Sequence, residues 1–193
     1  SGFEDLGILT VYQHTAFDLI VERAKGCEIV ITNKTPITRE VIDALPEMKY
    51  IGVLATGYDV VDVDYAKSRG IPVTNIPTYG TSSVAQMTFA LLLELCNHVQ
   101  EHSTAVHNGA WGTSRDFCFW NYPLVELAGK TIGIIGFGRI GQKVADIAAA
   151  FGMQVIAYDN FQSDQSQRKG FKWSSLESLL TESDVVSLHC PLC

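Results

Sequence analysis

At 193 residues the chain has room for one large domain or two small ones. Hydrophobic residues make up 47% and charged residues 18%, too apolar for a disordered chain and ordinary for one with a packed core. The formal net charge of −7, with no cluster of Lys and Arg, leaves no basic face to displace counterions from phosphates, which argues against DNA, RNA and anionic membrane surfaces as partners.

The longest strongly apolar run, around Thr88 to Leu95, is broken by Glu94 and is far short of a bilayer span. No charged segment followed by an apolar one opens the chain, so no signal peptide is read and the cytoplasm is the expected compartment. The five cysteines, Cys27, Cys96, Cys118, Cys190 and Cys193, are scattered through the sequence and read as reduced thiols. The chain begins with Ser1 and stops just after a strand-like run, so segments are expected to be missing at both ends.

Strand-like and helix-like runs alternate along the chain, the pattern of parallel sheets flanked by helices. The pattern predicts a strand over Gly7–Tyr12, a helix over Ala16–Lys25, a strand over Glu28–Thr32 and a helix over Thr38–Leu45. Tyr50–Ala55 is apolar enough for a strand buried on both faces, followed by a helix over Asp62–Arg69 and a strand over Pro72–Ile76. A long helix is expected from Ser83, where Ser83-Val84-Ala85-Gln86 fits a capping box. Ala85, Phe89, Leu92, Leu93, Cys96 and Val99 would form its apolar stripe.

Gly109 to Tyr122 has no periodicity and reads as a loop, packed down or turned to a dimer surface by Trp111, Trp120 and Tyr122. The alternation restarts with a strand over Lys130–Gly136, a helix over Ile140–Phe151 and a strand over Gln154–Tyr158. A helix over Ser174–Thr181 and a strand over Asp184–Leu188 close the pattern. The lobe boundary is expected near residue 100, dividing the chain into residues 1–100 and 101–193.

Gly136-Phe137-Gly138-Arg139-Ile140-Gly141 fits G-x-G-x-x-G, preceded by a buried strand and followed by an amphipathic helix with Val144, Ile147 and Ala148. In such a turn the first glycine permits the bend, the second lets the backbone approach a pyrophosphate, and the third lets helix and strand pack closely. The phosphates would sit at the positive end of the helix dipole, against backbone N–H groups such as those of Arg139 and Ile140. Asp159 ends the next strand, 18 positions after Gly141, near the spacing of the acid that accepts both ribose hydroxyls. Its charge opposes a 2′-phosphate, and Asn160 and Phe161 bring no cation to offset it, so NAD is expected over NADP.

Together with Leu54–Asp59, Val84–Gln86, Glu126–Gly141 and Ser187–Leu192, these residues resemble the D-isomer-specific 2-hydroxyacid dehydrogenases over nearly the whole chain, and most of all the glycerate (hydroxypyruvate) dehydrogenase-like members. The resemblance implies an α/β fold of two flavodoxin/Rossmann-like lobes with parallel sheets, each incomplete here. The first lobe, residues 1–100, would be the substrate lobe, and residues 101–193 would begin the NAD lobe. NAD and a small 2-hydroxy or 2-oxo acid would meet in the cleft between the lobes of a homodimeric enzyme.

By the same resemblance, Ala55, Thr56 and Gly57 would hold the substrate carboxylate through backbone N–H groups, with Thr56 also reaching the cofactor. Cys190 and Pro191 would line the cofactor pocket, and His189 is read as structural. Gln86 and Cys193 stand where Glu and Thr are common in the family. The family's catalytic Arg, Glu and His would lie beyond Cys193, so no catalytic residue is assigned, and residues 1–193 alone are expected to turn over no substrate and to be poorly stable. The alternative is a non-enzymatic, corepressor-like NAD-sensing scaffold on the same fold. Cys190-Pro191-Leu192-Cys193 lacks the following helix a redox dithiol uses, and His98 with His102 lacks a third ligand, so neither a redox nor a metal site is assigned.

Overall fold

The computed structural model describes residues 2–191. Leu192 and Cys193, the ends of the Ser187–Leu192 segment and of the cysteine pair, lie outside the described residues. The chain divides into two compact units between Tyr79 and Gly80, whereas the sequence pattern placed a boundary near residue 100. The long helix expected to connect the lobes begins the second unit.

In the first unit, strands β1 (Ile29–Thr32), β2 (Tyr50–Val53) and β3 (Val73–Thr74) form a parallel sheet in the order β1-β2-β3. Parallel neighbours need a crossover, and helices α2 (Arg39–Ala44) and α3 (Val63–Ser68) supply two, after a shorter α1 (Ile20–Ala24). Central β2 is buried at Ile51, Gly52 and Val53, as a strand covered on both faces must be. Ile20, Ile37, Ile42, Leu45 and Ala66 complete the core around it. Asp62 caps α3 by accepting the Tyr65 N–H at 3.0 Å.

The predicted strand over Gly7–Tyr12 does not form. An apolar run becomes a strand only where a partner offers a ladder, and among the described residues none pairs with it. Ile8 and Val11 are exposed, and so are Ile29 and Ile31 on the edge strand β1. The helix expected over Ala16–Lys25 is a 3₁₀ turn at Phe17–Leu19 leading into α1.

In the second unit, strands β4 (Thr131–Ile135), β5 (Gln154–Tyr158), β6 (Phe171–Trp173) and β7 (Val185–Leu188) are all parallel, in the order β6-β5-β4-β7. The chain moves outward from β4 to β6, then returns to the other side of β4 as β7. That reversal opens a crevice at the carboxyl ends of β4 and β7, where doubly wound sheets bind ligands. Helices α4 (Thr81–Asn97), α7 (Arg139–Ala150) and α8 (Leu176–Glu182) pack with the sheet, while α5 (Val99–His107) and α6 (Ala110–Thr113) follow α4 and pack on each other. Ala85, Phe89, Leu92 and Cys96 of α4 enter one core with Ile132 and Ile134 of β4 and Val144 and Ala148 of α7. The Phe89 ring stacks on Phe151 at 5.4 Å.

Three local expectations are corrected. Helix α4 starts at Thr81 rather than Ser83, and the Ser83 hydroxyl donates to the Gly80 carbonyl at 3.1 Å, so no capping box forms. The apolar stripe stops at Cys96 because His98 takes a left-handed conformation (φ 49°) that breaks the helix, leaving Val99 exposed. The loop expected over Gly109–Tyr122 contains the short α6. Edge strand β6 was not predicted, since three residues carry too little alternation to register. Truncating Ile132, which is fully buried in β4, to alanine is expected to lower the unfolding free energy by about 3 kcal/mol, read by urea denaturation. An unchanged midpoint would contradict the central position of β4.

Candidate functional site

The glycine turn lies between β4 and α7, and two of its three glycines are required by the packing around them. Gly136 has φ +92°, and a Cβ there would fall 2.5 Å from the Cys190 nitrogen and 2.6 Å from the His189 carbonyl carbon. The chain leaving β7 passes directly over it. A Cβ on Gly141 would overlap the Gly136 carbonyl oxygen and lie 3.2 Å from Ile134 Cγ2, so helix α7 can approach β4 only with glycine there. Gly138 differs: it has an unstrained backbone (φ −72°, ψ −162°), and a Cβ would meet nothing within 4 Å. Among the described residues, no atom explains a glycine at 138.

Gly138 is also the N-cap of α7 and supplies no side-chain cap to the opening turn. The first N–H groups of a helix have no carbonyl within it to bond, and they sit at the positive end of the dipole. Open space beside a helix N-terminus is an arrangement that suits an anion.

Asp159, just past β5, reaches back to the turn. Its Oδ2 accepts the Phe137 N–H at 2.6 Å and its Oδ1 accepts the Phe161 N–H at 3.0 Å. These donors, Phe161 first and then Phe137, hold the carboxyl below the usual carboxylate range against a smaller opposing effect of burial. A carboxylate offers about four lone-pair sites, so each oxygen keeps capacity for a ligand hydroxyl. The turn is held from beneath as well: Gln142 Nε2 donates to the Phe137 carbonyl at 3.2 Å. The buried Phe137 ring packs on Phe171 and Trp173, with centroids 4.9 and 5.2 Å away.

The end of β7 completes the crevice. The His189 N–H donates to the Ile135 carbonyl at 2.7 Å, extending the β4–β7 ladder to the edge of the turn. The His189 ring shares a hydrogen bond of 2.9 Å with the Ser187 hydroxyl, and burial lowers its pKa, which favours the neutral imidazole. Cys190 and Pro191 follow, exposed. The second unit therefore brings the Cys190 backbone against Gly136 and the Asp159 carboxylate against the turn that holds Gly136, Gly138 and Gly141.

In the first unit, Ala55-Thr56-Gly57 follows β2, and its carbonyls are tied to the segment after β3. Ile76 N–H donates to the Ala55 carbonyl at 3.1 Å, and Asn75 Nδ2 donates to the Thr56 carbonyl at 2.8 Å. The Thr56 hydroxyl donates to the Ile76 carbonyl at 2.9 Å. Among the described residues, no acceptor is found for the N–H groups of Ala55, Thr56 and Gly57. Three successive unbonded donors after a buried strand suit a carboxylate.

Sequence reasoning missed Asn75, Gln142 and Gly133. Asn75 acts across a gap in sequence that no motif spans, Gln142 donates back into the glycine turn from the position just after it, and a Cβ on Gly133 would strike Ser183 and Leu179, where α8 lies on β4. His102 has both ring nitrogens occupied, Nδ1 donating to the His98 carbonyl at 2.8 Å and Nε2 accepting the Asn121 N–H at 3.2 Å. Trp111 packs edge-on against Phe119, while Trp120 is exposed.

Comparison with known proteins agrees with this geometry. Residues 89–193 match the model of the D-isomer specific 2-hydroxyacid dehydrogenase NAD binding domain. The chain is 51% identical to a hydroxypyruvate reductase of Blautia hydrogenotrophica over 99% of its own length and 60% of the relative's. It is 41% identical to a glycerate dehydrogenase of Methylorubrum extorquens, over 90% of the chain and 53% of the relative. The chain thus spans little more than half the length of these curated relatives. Among solved structures, a D-lactate dehydrogenase from Aquifex aeolicus, complexed with NAD and lactic acid, superposes with a TM-score of 0.76 at 37% identity, covering 90% of this chain and 51% of that one. The chain belongs to the D-isomer specific 2-hydroxyacid dehydrogenase family, and its glycine turn and Asp159 lie in the part matched by that family's NAD binding domain.

Proposed function

We propose that the whole protein transfers a hydride between NAD(H) and a small 2-hydroxy or 2-oxo acid of the glycerate/hydroxypyruvate or glyoxylate type. The observation that carries this reading is Gly138, a glycine that no described residue explains, at a helix N-terminus and beside a carboxylate. The first relatives act, by name, as a hydroxypyruvate reductase and a glycerate dehydrogenase. Residues Gly136, Gly138, Arg139, Ile140 and Gly141 would hold the pyrophosphate, Asp159 the adenosine ribose, and Cys190 and Pro191 the pocket wall, with Thr56 also reaching the cofactor. Bound NADH supplies the hydride.

The chain's own residues bind and orient. Ala55, Thr56 and Gly57 take the acid's carboxylate on their N–H groups, and Asp159 selects the cofactor. The N-terminal lobe would be the substrate lobe and the C-terminal one the NAD lobe. Asp159, ionised at neutral pH, would repel a 2′-phosphate, so NADH is expected to bind more tightly than NADPH. Asp159→Ala is expected to weaken NADH binding about tenfold or more, for loss of hydrogen bonds to a charged group, and to narrow the NADH/NADPH ratio. Equal NADH affinity in the variant would remove Asp159 from the site.

The pH dependence has a definite sign. The folded-state pKa of Asp159 lies below its unfolded value, so its contribution to stability is present above the ordinary carboxylate pKa of about 3.9 and is lost as pH falls through the lowered value. NADH binding through Asp159 is therefore expected to be flat from pH 8 to pH 5 (roughly one unit above and two below neutrality), a window above the ordinary carboxylate pKa of about 3.9 and further above the lowered one of Asp159. A fall in affinity centred near pH 6 that vanishes in Asp159→Ala would contradict this.

We further place the protein in the cytoplasm as a homodimer. Among the described residues no helix is long and apolar enough to cross a membrane, and Trp111, Phe117 and Trp120 form an exposed aromatic stretch of the kind that dimer surfaces cover. Sedimentation of the whole protein as a monomer would count against the dimer. The test of the main reading is NADH oxidation by the whole protein with hydroxypyruvate and glyoxylate. Turnover is expected. Tight NADH binding with no turnover of any small 2-oxo acid would favour the sensing scaffold instead.

A further inference from the structure

We propose that Asn75 is a positioning residue that aims the Gly57 N–H of the Ala55–Gly57 loop at the substrate carboxylate; this rests on the reading of that loop as the carboxylate site. A trans peptide unit holds its C=O and the following N–H on opposite sides of one rigid plane. Asn75 Nδ2 donates to the Thr56 carbonyl at 2.8 Å. That bond turns the Thr56–Gly57 peptide so that its carbonyl faces the end of β3 and the Gly57 N–H faces away from it. The Ile76 N–H does the same for the preceding peptide, taking the Ala55 carbonyl at 3.1 Å and so aiming the Thr56 N–H. The Thr56 hydroxyl, spent on the Ile76 carbonyl at 2.9 Å, anchors the loop a third time.

The two peptides differ in how firmly the backbone itself would hold them. Between Ala55 and Thr56 both residues carry a Cβ, which resists rotation of the plane into the positive-φ region. Between Thr56 and Gly57 the following residue is glycine, which tolerates positive φ at little cost. That peptide can therefore flip, replacing an N–H donor with a carbonyl oxygen that would face the anion and repel it. In the structure Gly57 is not among the glycines with positive φ. Among the described residues, the one side chain bonded to the Thr56 carbonyl is that of Asn75, so Asn75 holds the unflipped state. Its carboxamide works through the loop and does not touch the acid.

The test is a titration of glyoxylate into the whole protein saturated with ADP-ribose, the part of NAD that lacks the nicotinamide and so can accept no hydride, followed by the backbone amide resonances of Ala55, Thr56 and Gly57. In the wild type these amides are expected to shift and saturate. In Asn75→Ala the glyoxylate concentration at half-saturation is expected to rise about tenfold, with the Gly57 amide losing more of its shift than Thr56. Asn75→Asp, of the same shape but with a negative charge in place of the donor, is expected to raise it at least as far, and the NAD⁺ dissociation constant is expected to stay the same in Asn75→Ala. If Asn75→Ala does not fold, Asn75→Ser, whose hydroxyl is too short to reach the carbonyl, takes its place. A lowered melting temperature with an unmoved glyoxylate midpoint would mean that Asn75 only stabilises the fold, and would overturn the proposal while the loop assignment stands. Wild-type amides that do not respond to glyoxylate, while ADP-ribose binds, would instead overturn the loop assignment and the proposal with it.

Discussion

Gly138→Ala is expected to leave the protein folded and to weaken NADH binding about a hundredfold. A Cβ at this position meets no protein atom within 4 Å, and the backbone angles are open to any residue. The cost to the fold is that of replacing glycine by alanine at a helix N-cap, about 1 kcal/mol or less. The cost to the complex is larger, because the added methyl occupies the space through which a pyrophosphate reaches the N–H groups of α7. Losing one or two hydrogen bonds to a charged group, each about 1.5–3 kcal/mol, accounts for the expected factor. Calorimetric titration of NADH beside a thermal melt separates the two effects. A variant that binds as tightly as the wild type would show that nothing approaches the backbone at Gly138.

Gly136→Ala should do the reverse of this, and by a larger margin in stability. The residue combines φ +92° with a Cβ that would fall within 2.5–2.7 Å of backbone atoms of His189 and Cys190. Backbone strain of about 1–3 kcal/mol adds to overpacking of similar size, giving roughly 3 kcal/mol or more. Relief requires β7 to move from β4, and the His189 N–H bond to the Ile135 carbonyl would be the first lost. Urea denaturation reads this directly, and the cofactor site should fail with the fold. An unfolding midpoint equal to that of the wild type would mean the turn is not built as described. The pair of substitutions thus separates a glycine needed by the protein from one needed by its ligand, although both belong to the same six-residue motif.

Legibility followed range. The strand–turn–helix of β4 and α7, with Asp159 at the end of β5, was readable because its signals are local: an apolar run, three spaced glycines, an amphipathic period and an acid at a strand end. The buried middle of β2 was readable for the same reason. Gly7–Tyr12 has the composition of a strand, but strand formation depends on a partner that composition does not reveal. The Ser83 capping box failed because the helix could begin two residues earlier at no loss, with the Ser83 hydroxyl satisfied by the Gly80 carbonyl. Val99 kept the helical spacing yet fell beyond the left-handed break at His98. Within the site, Asn75 and Gly133 were invisible for a common reason. Each works through a contact whose other half lies far off in sequence, and no pattern in the residues around it marks that contact. Gln142 bonds within five residues, but the glycine pattern specifies no side chain at that position.

A crystal structure of the protein with NADH bound tests the central claim most directly. It should show the pyrophosphate within hydrogen-bond reach of the Arg139 and Ile140 N–H groups, crossing the open space over Gly138, with ribose hydroxyls on the Asp159 carboxylate. A dinucleotide bound away from the opening turn of α7, with Asp159 still bonded only to Phe137 and Phe161, would contradict it.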